Sequence, residues 1–269
     1  MLRVKSSNNE RKKMIPILFE IGPLKVGSYG LMLAIAFITC LWLLRREFAR
    51  RDLNPDWAYN IIFAAAIGGI IGARLYFILE YTDRFQQDPL GMIFTGSGLT
   101  WYGGFIGGII AVLISIYRMP ASNLKLADLI APLLLLGYGI GRIGCFLAGD
   151  GDYGPPSDLP WAMSFPNGLV PTTQRVHPTP VYETLMALIL FAILWKLRKK
   201  PHPAGLMVSG MLIAYGIERF LAEFWRTTPQ VLGWLTMAQI LSIISVLAGL
   251  IWGYYILKIR KNPPQIKPA

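Results

Sequence analysis

An all-α polytopic membrane protein of seven transmembrane helices, with a small loop head on its outer face, is the fold class this sequence predicts. Three observations carry it. Hydrophobic residues make up 54% of the 269-residue chain and charged residues only 15%, with a mean hydropathy of +0.47, well away from the usage of soluble domains. Apolar runs near residues 26–44, 58–79, 99–117, 126–148, 180–197, 204–224 and 237–257 each come close to the roughly 20 residues that a bilayer requires. Fourteen lysines and arginines fall in alternate connections and at the C-terminus, against Arg84, Arg175 and Arg226 in the others. That asymmetry places the C-terminus in the cytoplasm and, with seven spans, the N-terminus on the outer side of the membrane.

The spans use up most of the chain, so residues 1–25 read as an N-terminal tail and interfacial segment, 26–257 as the membrane domain with 149–179 as its outer head, and 258–269 as a basic cytoplasmic tail. The tail opposes the charge rule with Arg3, Lys5, Arg11, Lys12, Lys13 and Lys25, yet counting all six as outer still leaves the cytoplasmic side richer. Met1 to Lys13 is out of character with the rest, Met14 is a second candidate start, and Met14 to Pro23 reads as a segment lying on the outer surface. Cys40 and Cys145 have no paired spacing, and His177 and His202 do not make a ligand set, so neither a disulfide framework nor a metal or other cofactor is expected. The net charge of +11 sits in short clusters beside apolar runs without a nucleic-acid motif, which fits anionic headgroups rather than nucleic acid.

Taken in order, the first span opens on Ser28-Tyr29-Gly30 and runs inward; the second runs outward and carries Arg74 in its last third. The third runs inward from Trp101-Tyr102-Gly103-Gly104. The fourth starts near Asp128, which reads as an N-terminal charge or cap, and ends by placing Arg142 among five glycines, Gly137 to Gly149. A cation at that depth is costly and marks a functional site by default; the structural alternative is that the glycines are packing notches and Arg142 snorkels. The loop from Asp150 to Pro180 holds Pro155, Pro156, Pro160, Pro166 and Pro171, which argues against regular helix, while Trp161, Met163 and Phe165 suit a membrane surface. His177-Pro178-Thr179-Pro180 leads into the fifth span, opened by a proline. On the sixth, Tyr215, Arg219, Glu223 and Arg226 fall within about 80° of helical arc, a polar stripe whose structural alternative is an internal Arg219–Glu223 pair. His202, in a basic cytoplasmic loop, is given no role.

With this topology, Tyr29, Arg74, Tyr102, Arg142, Tyr182, Glu183 and Arg219 converge on the outer leaflet. Guanidinium groups at headgroup depth suit a phosphate, which they bind bidentately without losing charge, and the ligand available there is a phospholipid. Asp128, Asp150, Asp152, Glu183 and Glu223 are carboxylates able to orient arginines or move protons.

The run Gly141-Arg142-Ile143-Gly144-Cys145-Phe146, followed by Gly149-Asp150 and Tyr153-Gly154, resembles the signature of the prolipoprotein diacylglyceryl transferases. The likeness extends to Phe19-Glu20-Ile21-Gly22-Pro23, Ser28-Tyr29-Gly30-Leu31, Gly72-Ala73-Arg74, Trp101 to Gly107, His177-Pro178 with Tyr182-Glu183, and Tyr215 to Arg226, nearly all of the chain after Met14. It implies transfer of the diacylglyceryl group of phosphatidylglycerol to the lipobox cysteine thiol of a prolipoprotein, the first step of bacterial lipoprotein maturation, with release of glycerol 1-phosphate at the outer face of the membrane. The implied partners are phosphatidylglycerol, the prolipoprotein signal peptide and membrane lipids. Arg142, Arg219, Glu223, Tyr102 and Asp150 become the catalytic candidates, with the two arginines on the phosphate; Tyr29, Arg74, Gly103, Gly104, Cys145, Gly154, His177 and Tyr215 become the substrate-binding ones. Two positions depart from the family pattern, Tyr102 for histidine and Cys145 for asparagine, and the acceptor of the thiol proton stays open among His177, Glu223 and Asp150. A phospholipid flippase, or a lipid-binding protein without catalysis, is the competing class. The first would place polar groups through the midplane, and the second has no need of Tyr29, Tyr215 and Glu223 beside the arginines.

Overall fold

The computed structural model describes residues 15–21, 24–94, 100–259 and 265–266; the charged tail up to Lys13, with Met14, lies outside them. Two antiparallel strands, β1 (Ile17–Ile21) and β2 (Leu24–Gly27), form a hairpin where an interfacial segment was expected. Helices follow: α1 (Ser28–Arg50), α2 (Trp57–Glu80), the short α3 (Thr82–Gln87) and α4 (Pro89–Phe94), α5 (Trp101–Tyr117) and α6 (Asn123–Ala148). Strands β3 (Met163–Phe165) and β4 (Thr172–Val176) precede α7 (Thr179–Leu197), β5 (His202–Pro203) and α8 (Leu206–Ala222) with a 3-10 turn at Glu223–Trp225. The chain closes with β6 (Gln230–Leu232), β7 (Leu235–Thr236), α9 (Met237–Tyr254) running into a π turn, and β8 (Gln265–Ile266), which pairs with β5.

The chain is mostly helical, and helices occupy all seven expected apolar runs. The helices α1, α2, α6 and α7 and the stretch Met237–Lys258 are long and apolar enough to cross a bilayer, whereas α5 and α8 have 17 residues each. The first helix runs past the expected end at residue 44 because its polar last turns are internally paired. Glu47, 1% exposed, accepts hydrogen bonds from Arg50 Nε at 3.1 Å, Arg51 Nε at 3.1 Å and Arg198 Nε at 3.0 Å. Three of the cations that signalled topology therefore hold one buried carboxylate.

Two compact units make up the chain. One comprises the described residues of Met1–Ala36 with Tyr138–Leu190 and Ala214–Leu247; the other comprises Phe37–Gly137, Phe191–Ile213 and the described residues of Ala248–Ala269. In the second unit α2 and α5 cross along a glycine seam: a Cβ at Gly72 would stand 2.8 Å from Gly107 Cα, and one at Gly103 would run into the Gly72 carbonyl oxygen. Backbones this close need glycine.

Asp128 in the same unit departs from the expectation. It sits in the second turn of α6 and does not cap its own helix: Oδ2 accepts the Gly205 N–H at 2.7 Å and Oδ1 the Val208 N–H at 3.0 Å, capping the start of α8. His202, left without a role by the sequence, is buried beside it with Nε2 3.7 Å from Asp128 Oδ2, and its Nδ1 donates to the Lys200 carbonyl oxygen at 2.7 Å. The hydrogen-bonding needs of a helix start inside apolar surroundings account for Asp128.

Candidate functional site

In the first unit the loop after α6 folds on itself. Phe165 and Val176 are buried, with Phe146, Tyr153 and Met163 packed on them, and Arg175 donates to the carbonyl oxygens of Leu159 at 3.0 Å and Ala162 at 3.1 Å. Gly149 turns the chain at φ +58°, which sends Asp150 and Asp152 back toward the end of α6. Gly154 lies where a Cβ would meet the Trp225 carbonyl oxygen and stand 2.9 Å from Thr179 Oγ1. Thr179 in turn donates to that carbonyl at 2.7 Å. These contacts tie the loop, the start of α7 and the turn after α8 together, so close packing explains the glycine at 154.

Three arginines meet on two carboxylates in this unit. Glu183 Oε2 lies 3.2 Å from Arg142 Nε, while its Oε1 is 3.4 Å from Arg219 Nη1 and 3.3 Å from Arg226 Nη1. Asp152 accepts from Arg142 Nη1 and, at 2.5 Å, from Arg226 Nη2. Arg219 Nη2 also pairs with Glu223 Oε2 at 2.7 Å, so the internal pair of the sixth helix exists alongside the larger cluster. The Glu183 and Glu223 side chains are 0% exposed, the arginines 14–15%, and Asp152 31%. The cluster is therefore closed behind Glu183 and open on the side of Asp152.

The remaining candidates sort by unit. In the first, Gly144 lets Tyr29 lie against α6, where a Cβ would stand 3.2 Å from the tyrosine Cα. Cys145 Sγ is 3.7 Å from Arg142 Nη1, and Tyr215 meets Tyr138 edge-on at 5.7 Å. His177 Nδ1 lies 3.2 Å from the Tyr182 hydroxyl, which accepts from Trp161 Nε1 at 2.7 Å. In the second unit, Gly103 and Gly104 lie on the helix seam, Arg74 Nη1 donates to the Met92 carbonyl oxygen at 3.0 Å, and Tyr102 is 55% exposed.

Two carboxyls outside the helices are driven in opposite directions. Burial pushes Asp150 up; the neighbouring Asp152 charge adds to it, against a hydrogen bond from Cys145. Burial also acts to raise Asp152, but the Arg142 and Arg226 guanidiniums outweigh it and hold the group below the usual carboxylate range. Cys145, Asp150 and Asp152 bring ligand atoms within 4.8 Å of one another, yet two guanidiniums on Asp152 oppose a metal ion there.

Asp152, Glu183 and Arg226 are central to the cluster; the sequence marked Asp152 as a carboxylate able to orient arginines or move protons, Glu183 as the same and as one of the polar groups converging on the outer leaflet, and Arg226 as part of a stripe. Tyr138 and Glu218, which contact Glu183 or lie beside it, went unmarked.

The family model for prolipoprotein diacylglyceryl transferase matches residues 16–255. Curated proteins named phosphatidylglycerol–prolipoprotein diacylglyceryl transferase are similar over most of their length. The one from Pseudomonas putida is 39% identical, covering 94% of this chain and 97% of its own. Those from Aliivibrio salmonicida and Bordetella avium are 38% and 36% identical, over 89% and 93% of this chain and 87% and 97% of theirs.

Proposed function

The chain belongs to the prolipoprotein diacylglyceryl transferase family, and on that premise we propose that the arginine cluster around Glu183 and Asp152 is where it moves diacylglyceryl from phosphatidylglycerol to a prolipoprotein cysteine. The observation that carries the reading is the gathering of Arg142, Arg219 and Arg226 with one open side.

The phosphodiester of the lipid enters on the side of Asp152, the most accessible carboxylate of the cluster, and exchanges with it on Arg142 and Arg226 while Arg219 stays braced by Glu223. The cysteine sulfur attacks the glycerol carbon that bears the phosphate. The C–S bond forms as the C–O bond breaks, and the electron pair leaves with glycerol phosphate. Charge grows on the departing phosphate oxygen, which guanidiniums already in place stabilise more in the transition state than in the ground state. The thiol proton goes to Asp150, a nearby and partly accessible carboxylate that has no arginine ion pair among the described residues and whose burial makes it a stronger base than an ordinary carboxylate.

The same reading gives seven spans, with α5 and α8 completing the five long helices, the N-terminus outside and the C-terminus in the cytoplasm. It sets the loop 149–179 as a head over the site and the lipobox cysteine as the acceptor. The test is transfer of labelled diacylglyceryl from phosphatidylglycerol to a lipobox peptide by the purified chain in detergent. A chain that binds the lipid but leaves the peptide unlabelled defeats it.

A further inference from the structure

The geometry points to Glu218 as a positioning residue that carries a proton and, through Tyr138, fixes the charge of Glu183 between the arginines; the inference deepens the transfer reading and rests on it. Glu218 is 1% exposed. Its Oε1 lies 3.5 Å from the Tyr138 hydroxyl, and its Oε2 has no hydrogen-bond partner among the described residues. Tyr138 is 3.2 Å from Glu183 Oε1 on its other side. One hydroxyl thus stands between two carboxyl groups, and it has one proton to give.

That proton belongs to Glu183, which has three guanidiniums within 3.4 Å and is the nearer acceptor. An ionised Glu218 would then face the hydroxyl lone pairs with one oxygen and nothing with the other, an uncompensated charge in a buried position. A neutral Glu218 removes the conflict: its own O–H donates to the Tyr138 oxygen and the Tyr138 O–H donates to Glu183. The groups facing Glu218 are Tyr138 and Arg142 from α6, Glu183 from α7, and Arg219 and Tyr215 on its own helix, and among the described residues none of the arginines forms an ion pair with it.

Charge balance gives the proton a functional meaning. Arg142, Arg219 and Arg226 are matched by Asp152, Glu183 and Glu223. A further negative charge on Glu218 would set a fourth carboxylate against these three guanidiniums from behind, before any phosphodiester arrived, whereas a neutral Glu218 keeps the ion-paired groups at three of each sign. Glu218 therefore sets the preference for an anionic headgroup without touching the lipid.

The experiment uses the full chain in phosphatidylglycerol nanodiscs. The infrared difference between the wild type and Glu218→Gln at neutral pH is expected to show the carbonyl band of a protonated carboxylic acid in the wild type alone; no such band overturns the inference. In the transfer assay Glu218→Gln, which keeps a neutral donor to Tyr138, should stay within about threefold of wild type, while Glu218→Leu, which leaves Tyr138 unpartnered, should lose about tenfold or more. A Gln variant as impaired as Leu would show that the carboxyl itself must ionise or transfer a proton, which overturns the positioning role. The infrared result does not depend on turnover, so a wild-type chain that shows the band but labels no lipobox peptide would count against the transfer reading and leave the proton in place.

Discussion

Arg226 Nη2 donates to Asp152 Oδ1 at 2.5 Å, joining the turn after α8 to the loop after α6. Asp152 also accepts from Arg142, so one carboxylate sets the spacing of two phosphate-binding candidates. Asp152→Asn should lower transfer by about tenfold or more and reduce Tm, because removing one partner strands two partly buried guanidiniums. The pH dependence has a definite sign. A carboxyl held below its ordinary value stabilises the fold above that value, about 3.9, and the benefit is lost as pH falls through the lowered one. The Tm difference between wild type and variant should accordingly be flat from pH 5 to 8 and shrink only in stronger acid; a gap that closes between pH 8 and 5 contradicts the assignment.

Much of this arrangement was legible beforehand, and what was missed has physical causes. Seven apolar runs gave seven helices, since hydropathy is summed over many residues and tolerates local error. Arg142 and Arg219, which meet on Glu183, stand out in the sequence because a cation is expensive in an apolar span, which makes each conspicuous on its own. Asp152 does not, because Gly-Asp-Gly-Asp presents two equivalent carboxylates, and it is the folded loop, with Gly149 and Gly151 both at positive φ, that brings the second of them to the arginines. Asp128 was assigned to its own helix because a cap is usually a local feature, whereas its partners lie 77 and 80 residues away in sequence. Gly103, Gly104 and Gly154 were expected beside a ligand because motif glycines do not reveal whether it is substrate or backbone that approaches.

Asp150 should behave oppositely to Asp152. Burial raises this carboxyl, so its ionisation costs folding free energy: the contribution is most favourable below the ordinary value and is lost as pH rises through the raised one. Asp150→Asn should therefore be at least as thermally stable as wild type at pH 7.5, with the difference vanishing near pH 4, while transfer falls about a hundredfold as the proton acceptor is removed. A variant that transfers normally returns the search for the acceptor to Glu223 and His177.

Arg142→Lys and Arg219→Lys should insert and fold yet lose transfer by about a hundredfold or more. Lysine keeps the charge but cannot span two oxygens at once, and each of these arginines already bridges two carboxylates. Initial rates at saturating phosphatidylglycerol, measured beside a folding control, decide it. Near-normal rates in either variant remove that arginine from the site.

Close packing predicts a loss of stability at two glycines. A Cβ at Gly103 meets the Gly72 carbonyl, and one at Gly154 meets that of Trp225; backbone atoms cannot rotate away as a side chain can. Gly103→Ala and Gly154→Ala should each destabilise by about 1–3 kcal/mol, visible in thermal unfolding in detergent without lipid. Unchanged stability with a raised KM for phosphatidylglycerol would instead make the glycine a substrate contact.

Tyr102 stands in the first turn of α5, where the family pattern has histidine, and its ring is 55% exposed. Phenols as a class are poor proton acceptors near neutrality but good hydrogen-bond donors, so the role we propose for this side chain is to donate a hydrogen bond to the lipid rather than to take the thiol proton. Tyr102→Phe should then raise KM for phosphatidylglycerol by about three- to tenfold, the worth of one hydrogen bond, and leave the shape of the pH profile unchanged. Tyr102→His should give no new limb between about pH 6 and 7, where imidazole titrates, because the proton leaves by another group. If the Phe variant is inactive and His restores transfer with an ionisation in that range, position 102 holds the base, and Asp150 loses its part in the reaction.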